Sequence, residues 1–417
     1  MLYSLQIILP ADPVPHADIG TRFLAALEAV LPGQRPLALH EPLFGGNEWA
    51  YVKECIDTGW VSSVGKYVDE FERRLAEITG SRYAIATFNG TAALHIALKL
   101  AGVQPDDEVL VPALSFVATA NAVAHCGASP HFVDCDEKTL GLDAGALRDY
   151  LRAIVDRSSG FSRNRTTGRK LAAIVPMHTF GHPSDIDGLI GVAADFGIPL
   201  VEDAAESLGS YYHGRHTGTF GMFGTLSFNG NKIITTGGGG MITTASAAFA
   251  AKAKYLTTQA KDDPLEYEHH EVGYNYRLTN LQAAMGCAQL EQLDAYIARK
   301  RDTARFYAGA LAEVRGISCM QQAPWAESIA WMFTIRVDAA AFGMDSRALL
   351  RWLDAEKIQT RPLWQPMHRS LAHAGSEVVG GEVADALCRD CLSLPCSADI
   401  SDAQRERVVA AIRAAAS

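Results

Sequence analysis

The sequence has no apolar run approaching the ~20 residues that a membrane span needs. Its first residues carry no charge ahead of their apolar stretch, which Pro10, Pro13 and Pro15 soon interrupt. Neither a span nor a cleaved leader is expected, and the chain reads as soluble and cytoplasmic. An excess of basic residues is also lacking, since 37 Lys and Arg stand against 47 Asp and Glu, a net charge of −10. That balance argues against sequence-independent nucleic-acid binding, yet leaves room for a small molecule that carries a nucleotide. Metal-ligand spacing is scarce. The eight cysteines, at 55, 126, 135, 287, 319, 388, 391 and 396, lie mostly in apolar surroundings, as reduced buried thiols do. Cys388 and Cys391 form a CxxC with Cys396 behind them, but no second CxxC or histidine pair completes a tetrahedral set, so packing is the better reading and no metal is expected. No internal repeat or low-complexity segment is visible.

What is present is a chain of 417 residues, 48% hydrophobic, enough for two or three domains of about 150 residues each. Residues 19–31 have the spacing of an amphipathic helix, ended by Pro32-Gly33. Helices are expected over 48–58 and 66–79, with a loop, Gly59-Trp60-Val61-Ser62-Ser63-Val64-Gly65, whose aromatic and hydroxyls suit a sugar or the core. Tyr83–Thr87 reads as a buried strand, followed by Asn89-Gly90-Thr91 and a helix from Ala92 to Ala101. Such a helix start offers free N–H groups and a positive dipole end, a seat for phosphate; a plain capping threonine is the alternative. Strands at 108–116 and 131–134 flank a helix at 119–126, and Phe116, just past a strand end, could stack on a planar ring or fill the core. The basic stretch 156–170 reads as a surface loop. Leu171–His178 is the next strand, and His178, His182, His213 and His216 are read as loop hydrogen-bonding groups rather than metal ligands.

The centre of the sequence is Val201–Met241. A strand at 198–201 delivers Glu202-Asp203 at its end, where ligands sit in an α/β sheet. A second strand, Thr225–Phe228, leads to Lys232, the only lysine between Lys170 and Lys252, and then to Gly237–Gly240. A lysine among small polar residues beside a strand-borne carboxylate suits a Schiff base to pyridoxal phosphate, the carboxylate holding the ring nitrogen protonated. By spacing alone, an ordinary strand, turn and surface lysine is an equal reading. The glycines cannot be a dinucleotide fingerprint, because Ile242 stands where GxGxxG from Gly237 needs glycine; they suit close backbone passage near Lys232. From Thr279 a helical pattern runs to about Val314, and a strand at 331–337, a helix at 346–356, a short strand at 360–362 and a helix at 401–415 follow. The expected domains are an N-terminal helical extension (1–40), a large cofactor-binding domain (41–278) and a small C-terminal α+β domain (279–417).

Taken together, Asn89-Gly-Thr-Ala-Ala-Leu-His95, Val201-Glu-Asp-Ala-Ala205, Gly218-Thr-Phe-Gly221, Ser227 through Lys232, the glycine cluster and Gly273-Tyr-Asn-Tyr-Arg-Leu-Thr279 resemble the DegT/DnrJ/EryC1/StrS sugar aminotransferases. The resemblance spans nearly the whole chain. It implies an α/β protein of PLP-dependent transferase fold type I, with a large mixed-sheet α/β/α domain and a small α+β domain. It further implies that Lys232 binds the cofactor aldehyde and shuttles the proton, and that Asp203 pairs with the pyridine nitrogen. Gly90, Thr91 and Ser227 would hold the phosphate with Asn275 from a partner subunit, making the active unit a homodimer, and Phe116 would stack on the ring. Glu206 stands where many relatives carry Gln or His near the ring hydroxyl, a departure from the pattern.

Leu39-His-Glu-Pro, Trp60-Val-Ser-Ser-Val-Gly65 and Ser227–Gly240 also look like the LegC-type branch. That likeness implies transfer of an amino group from L-glutamate to C4 of a UDP-linked 4-keto-6-deoxy-N-acetylhexosamine, on a route to a bacterial surface aminosugar of legionaminic acid or bacillosamine type. Trp60, Ser62, Ser63, His178 and Arg361 are the candidate substrate contacts. The alternatives are a GDP- or dTDP-ketosugar aminotransferase, a 3-dehydrase of the same fold, in which histidine replaces the lysine so that Lys232 argues against it, and a catalytically silent regulator.

Overall fold

Short apolar runs bounded by Gly, Asn and Asp dictate short buried strands, and the computed structural model, which describes residues 36–263 and 265–416, forms them near where the sequence has them. The helix expected over 19–31, and with it most of the expected extension, lies outside the described residues. The strands are β1 (Tyr83–Thr87), β2 (Glu108–Pro112), β3 (Ser129–Val133), β4 (Leu171–Ile174), β5 (Val201–Asp203), β6 (Phe223–Ser227) and β7 (Gly240–Thr244). Parallel ladders join β3 to β2 and β2 to β4, and another joins β5 to β6. The bridges Ile174–Leu200 and Met177–Asp203 carry the parallel pairing from the β4 side to β5. Only β7 runs against the rest, between β6 and β1. All five residues of β2 are buried, as expected of a parallel strand covered on both faces. Helices Gly90–Leu100, Val117–His125, Ala144–Ile154 and Ile186–Phe196 make the crossovers.

Beyond residue 279 the long helical pattern is two helices, Asn280–Leu290 and Leu293–Leu311. No proline or glycine marks the break. It falls where Gln289 and Gln292 both turn their side-chain amides onto the carboxylate of Glu48, at 2.6 and 3.0 Å. A second sheet follows, antiparallel, in the order Ile317–Cys319, Phe333–Val337, Cys391–Leu394, Arg361–Pro362. The CxxC straddles the end of the helix Glu382–Asp390 and the start of the strand Cys391–Leu394, and no group of metal-ligating residues occurs among the described residues.

The two sheets are tied together. Val378–Val379 adds a parallel strand to the outer edge of β3. Directly after it, buried Asp134 accepts the N–H groups of Gly381, Val383 and Ala384 at 2.7–3.0 Å, capping the helix Glu382–Asp390 from the other sheet. Burial alone would raise the Asp134 pKa, but the backbone donors outweigh it and hold the carboxyl below its usual value.

Asp134→Ala would leave those donors without a partner, and about 3 kcal/mol of stability should be lost at neutral pH. Because the folded-state pKa is depressed, this contribution is complete above the unfolded value of about 4 and disappears as pH falls through the folded one. Urea melts of both proteins at pH 7 and in acid check it; the gap between them should narrow in acid.

Candidate active site

Successive residues of a strand face opposite sides, and β5 uses both. Glu202 points into the core, where it accepts the N–H groups of Gly218, Phe220 and Gly221 and pairs with His178 Nε2 at 3.1 Å. Burial pushes its pKa up, but His178 and the backbone donors hold it below the usual range. Asp203 points the other way, into a cavity of about 320 Å³ at the C-terminal ends of β1, β5 and β6. Its Oδ2 accepts the Thr119 hydroxyl at 2.7 Å and its Oδ1 the Ala205 N–H at 3.2 Å, which fix the carboxylate.

Across the cavity lies the start of the helix Gly90–Leu100. Asn89 caps it through Ala92 N–H, leaving the Gly90 and Thr91 N–H groups without a helical partner. Gly90 is there for space: a Cβ would stand 2.9 Å from the Cβ and 3.2 Å from the Oγ of Ser227. Gly240 is equally constrained, its Cβ position being 2.4 Å from the carbonyl oxygen of Asn89. The close passage expected of the glycine cluster is therefore beside the helix start. Two free amides, a dipole end and the Ser227 hydroxyl are groups that could hold a phosphate dianion.

Lys232 leaves the turn after β6 and puts its Nζ 3.1 Å from Glu206 Oε1. Glu206 Oε2 in turn accepts the Phe180 N–H at 2.9 Å. Burial raises the pKa of Glu206 and nearby Asp203 adds to this, while Lys232 opposes it. Trp331, from the second sheet's side of the chain, lies under the ammonium, 4.2 Å from ring centre to Nζ, and donates its indole N–H to Asn231 O. Trp364 completes the aromatic wall between Phe180 and Phe116, with ring centres 4.9 and 6.2 Å away. Neither tryptophan carries a signal in the sequence, since each is a lone aromatic far from the central motif. His40, part of the Leu39-His-Glu-Pro run, packs 6.1 Å from Trp331; burial, with Lys300 and Lys232 nearby, holds its pKa well below the usual imidazole value. A larger cavity, about 430 Å³, is lined by Phe180, Arg301, Arg305 and Met332 and has no lysine or aspartate in its wall.

Gly90, Thr91, Phe116, Asp203, Glu206, Ser227 and Lys232 thus line one cavity. Other expected residues do not. His178 is fully buried, with Nε2 on Glu202 and Nδ1 accepting Ser184 N–H, so it has no face left for a substrate. Trp60 and Ser62 are exposed on a loop that Asn280 pins through their carbonyls, Ser63 is half-buried there, and Arg361 bonds its neighbour's carbonyl. Asn275 is exposed on a segment bridged to Thr258, away from this chain's own cavity.

Placing a methyl at residue 90 should force the helix start away from Ser227, a displacement costing about 1–3 kcal/mol. Gly90→Ala should therefore weaken binding of pyridoxal phosphate to cofactor-free protein by about tenfold or more. Gly230→Ala, where nothing lies within 4 Å of the new Cβ, should bind as the parent does. Fluorescence titration of the three proteins reads the difference.

The chain is similar to known proteins. Residues 43–413 match the model of the DegT/DnrJ/EryC1/StrS aminotransferase family. The GDP-perosamine synthase of Caulobacter vibrioides is 38% identical over 90% of this chain and 97% of its own length. The enzyme of that name from Escherichia coli O157:H7 is 36% identical over 80% of this chain and 85% of its own. Among solved structures, DesV of S. venezuelae, described in complex with a ketimine intermediate, is 29% identical with a TM-score of 0.79, covering 94% of this chain and 96% of that one. The chain belongs to the DegT/DnrJ/EryC1/StrS aminotransferase family and is a pyridoxal phosphate-dependent sugar aminotransferase.

Proposed function

We propose that the protein transfers the amino group of L-glutamate to C4 of a GDP-linked 4-keto-6-deoxy sugar, in the making of a bacterial surface aminosugar. The observation that carries the reaction type is the meeting of Lys232, Asp203 and the Gly90–Thr91–Ser227 seat in one cavity. GDP, rather than the UDP expected from the sequence motifs, is favoured by the two similar GDP-perosamine synthases.

When bound, the cofactor supplies an electron sink that lowers the cost of removing a proton from the amino-bearing carbon. The chain's own residues do the rest. Gly90 and Thr91 N–H and the Ser227 hydroxyl would hold the phosphate, and Asp203, fixed by Thr119, would keep a proton on the pyridine nitrogen. Lys232 would hold the aldehyde carbon and, as a free neutral amine, would be the group placed to move a proton. Phe116 would be the aromatic available to stack on the ring, and Trp331 and Trp364 line the same cavity. A second copy of the chain would bring Asn275, exposed here and outside the wall of its own cavity, to the phosphate, and the working unit would be a homodimer, in the cytoplasm. A second reading keeps the mechanism but takes a UDP-linked 4-keto-6-deoxy-N-acetylhexosamine, as the LegC-type likeness of 39–42 and 60–65 implies.

The test is turnover of GDP-, UDP- and dTDP-linked 4-ketosugars with glutamate, followed by 2-oxoglutarate release. Turnover of the GDP substrate is expected, and turnover of the UDP substrate alone would replace the first reading with the second. Lys232→Ala should lower kcat at least about a thousandfold. Borohydride should label residue 232 in the parent and nothing in the variant.

A further inference from the structure

Glu206 is left without a task by the mechanism above, yet its surroundings are costly to build. Its side chain is 1% exposed, with Oε1 at 3.1 Å from Lys232 Nζ. Its Oε2 is held by the N–H of Phe180, a residue kept at φ +55, where a side chain is strained, so the donor is held there against its own preference. The titratable groups around the pair are Asp203, which faces the same cavity, and His40 and Lys300, which pack about Trp331. Lys300 spends its Nζ on the carbonyls of Trp331 and Cys396, at 2.5 Å each, so it does not neutralise Glu206. A buried carboxylate needs a cation or a proton beside it. Before the lysine is joined to the cofactor, its ammonium is that cation. When its nitrogen is bound to the cofactor, the need persists, and a proton on that same nitrogen meets it.

We propose that Glu206 is a further catalytic residue, whose carboxylate keeps a proton on the Lys232 nitrogen while that nitrogen is joined to the cofactor. This rests on the amino-transfer reading above. The consequence is chemical: a protonated C=N carbon is the better electrophile for the incoming donor amine. As the new C–N bond forms and the bond to Lys232 breaks, one donor-amine proton passes to the lysine nitrogen, which leaves as a neutral amine, and the original positive charge ends on the new C=N group. Lys232 is thereby released in the form that can accept a proton from carbon. A neutral amide at position 206 would supply no such charge.

The test is a pH titration of the absorbance of the cofactor-loaded protein, parent against Glu206→Gln. Loss of the opposite charge should lower the midpoint of proton release from the lysine–cofactor link by about 1–3 pH units. The rate with glutamate at neutral pH should fall about tenfold, with KM for the ketosugar unchanged. Glu206→Asp, which keeps the charge one methylene farther back, should show an intermediate midpoint, and it is the variant read if the glutamine protein does not fold. Midpoints that coincide with the parent, or that rise, overturn the proposal. Borohydride labelling separates the failures: label at Lys232 with coincident midpoints removes this inference alone, whereas no label in the parent removes the amino-transfer reading and this inference with it.

Discussion

Alternation along one three-residue strand governs the protein. In β5, Glu202 turns inward and Asp203 outward, and neither position tolerates the other's surroundings. Glu202 is buried against His178 and three backbone donors, which lock the segment 218–221 beneath the sheet. That lock sets the register of β5 with β6, Asp203 opposite Thr225, and hence where the chain reaches Ser227 and Lys232. A slip of one residue would turn Asp203 into the core and Glu202 into the cavity, taking each acid away from its donors. Gly218-Thr-Phe-Gly221 therefore serves by supplying N–H groups to a buried acid.

Much of this was legible because local rules and the fold agree. The helices 48–58 and 66–79 and the strand 83–87 have the predicted bounds, their periodicity and terminal glycines or turns being unopposed. Lys232, Asp203, Gly90, Thr91, Ser227 and Phe116 were readable because they sit at strand ends and helix starts, where chain order and space coincide. Trp331 and Trp364 were not, since tertiary folding alone brings the later half of the chain over Lys232. His178 is a hydrogen-bonding group, as its setting implies, and not also a substrate contact, since Glu202 and Ser184 take both ring nitrogens. The break at 291–292 has no local mark and lies where Gln289 and Gln292 reach Glu48, a residue far away in the chain.

The cavity is a balance of few charges in a poorly hydrated space. One ammonium faces two carboxylates, and each carboxylate is oriented by a neutral donor, Thr119 for Asp203 and the Phe180 amide for Glu206. Such donors fix direction without adding charge, so each acid can respond to what enters. Asp203 is aimed across the cavity and Glu206 at the lysine; two groups of the same chemistry are separated in role by geometry.

The strand Val378–Val379 on the edge of β3 and the Asp134 cap beside it have a consequence for the wall of the cavity. They rivet the later half of the chain to the earlier one at a point distant from Lys232, and the segment around Leu37 and Leu39 adds a further pair of stitches to Ile358 and Cys396. Phe116, half-exposed in the cavity wall, thus stands on a frame stitched together at several separate points of the chain.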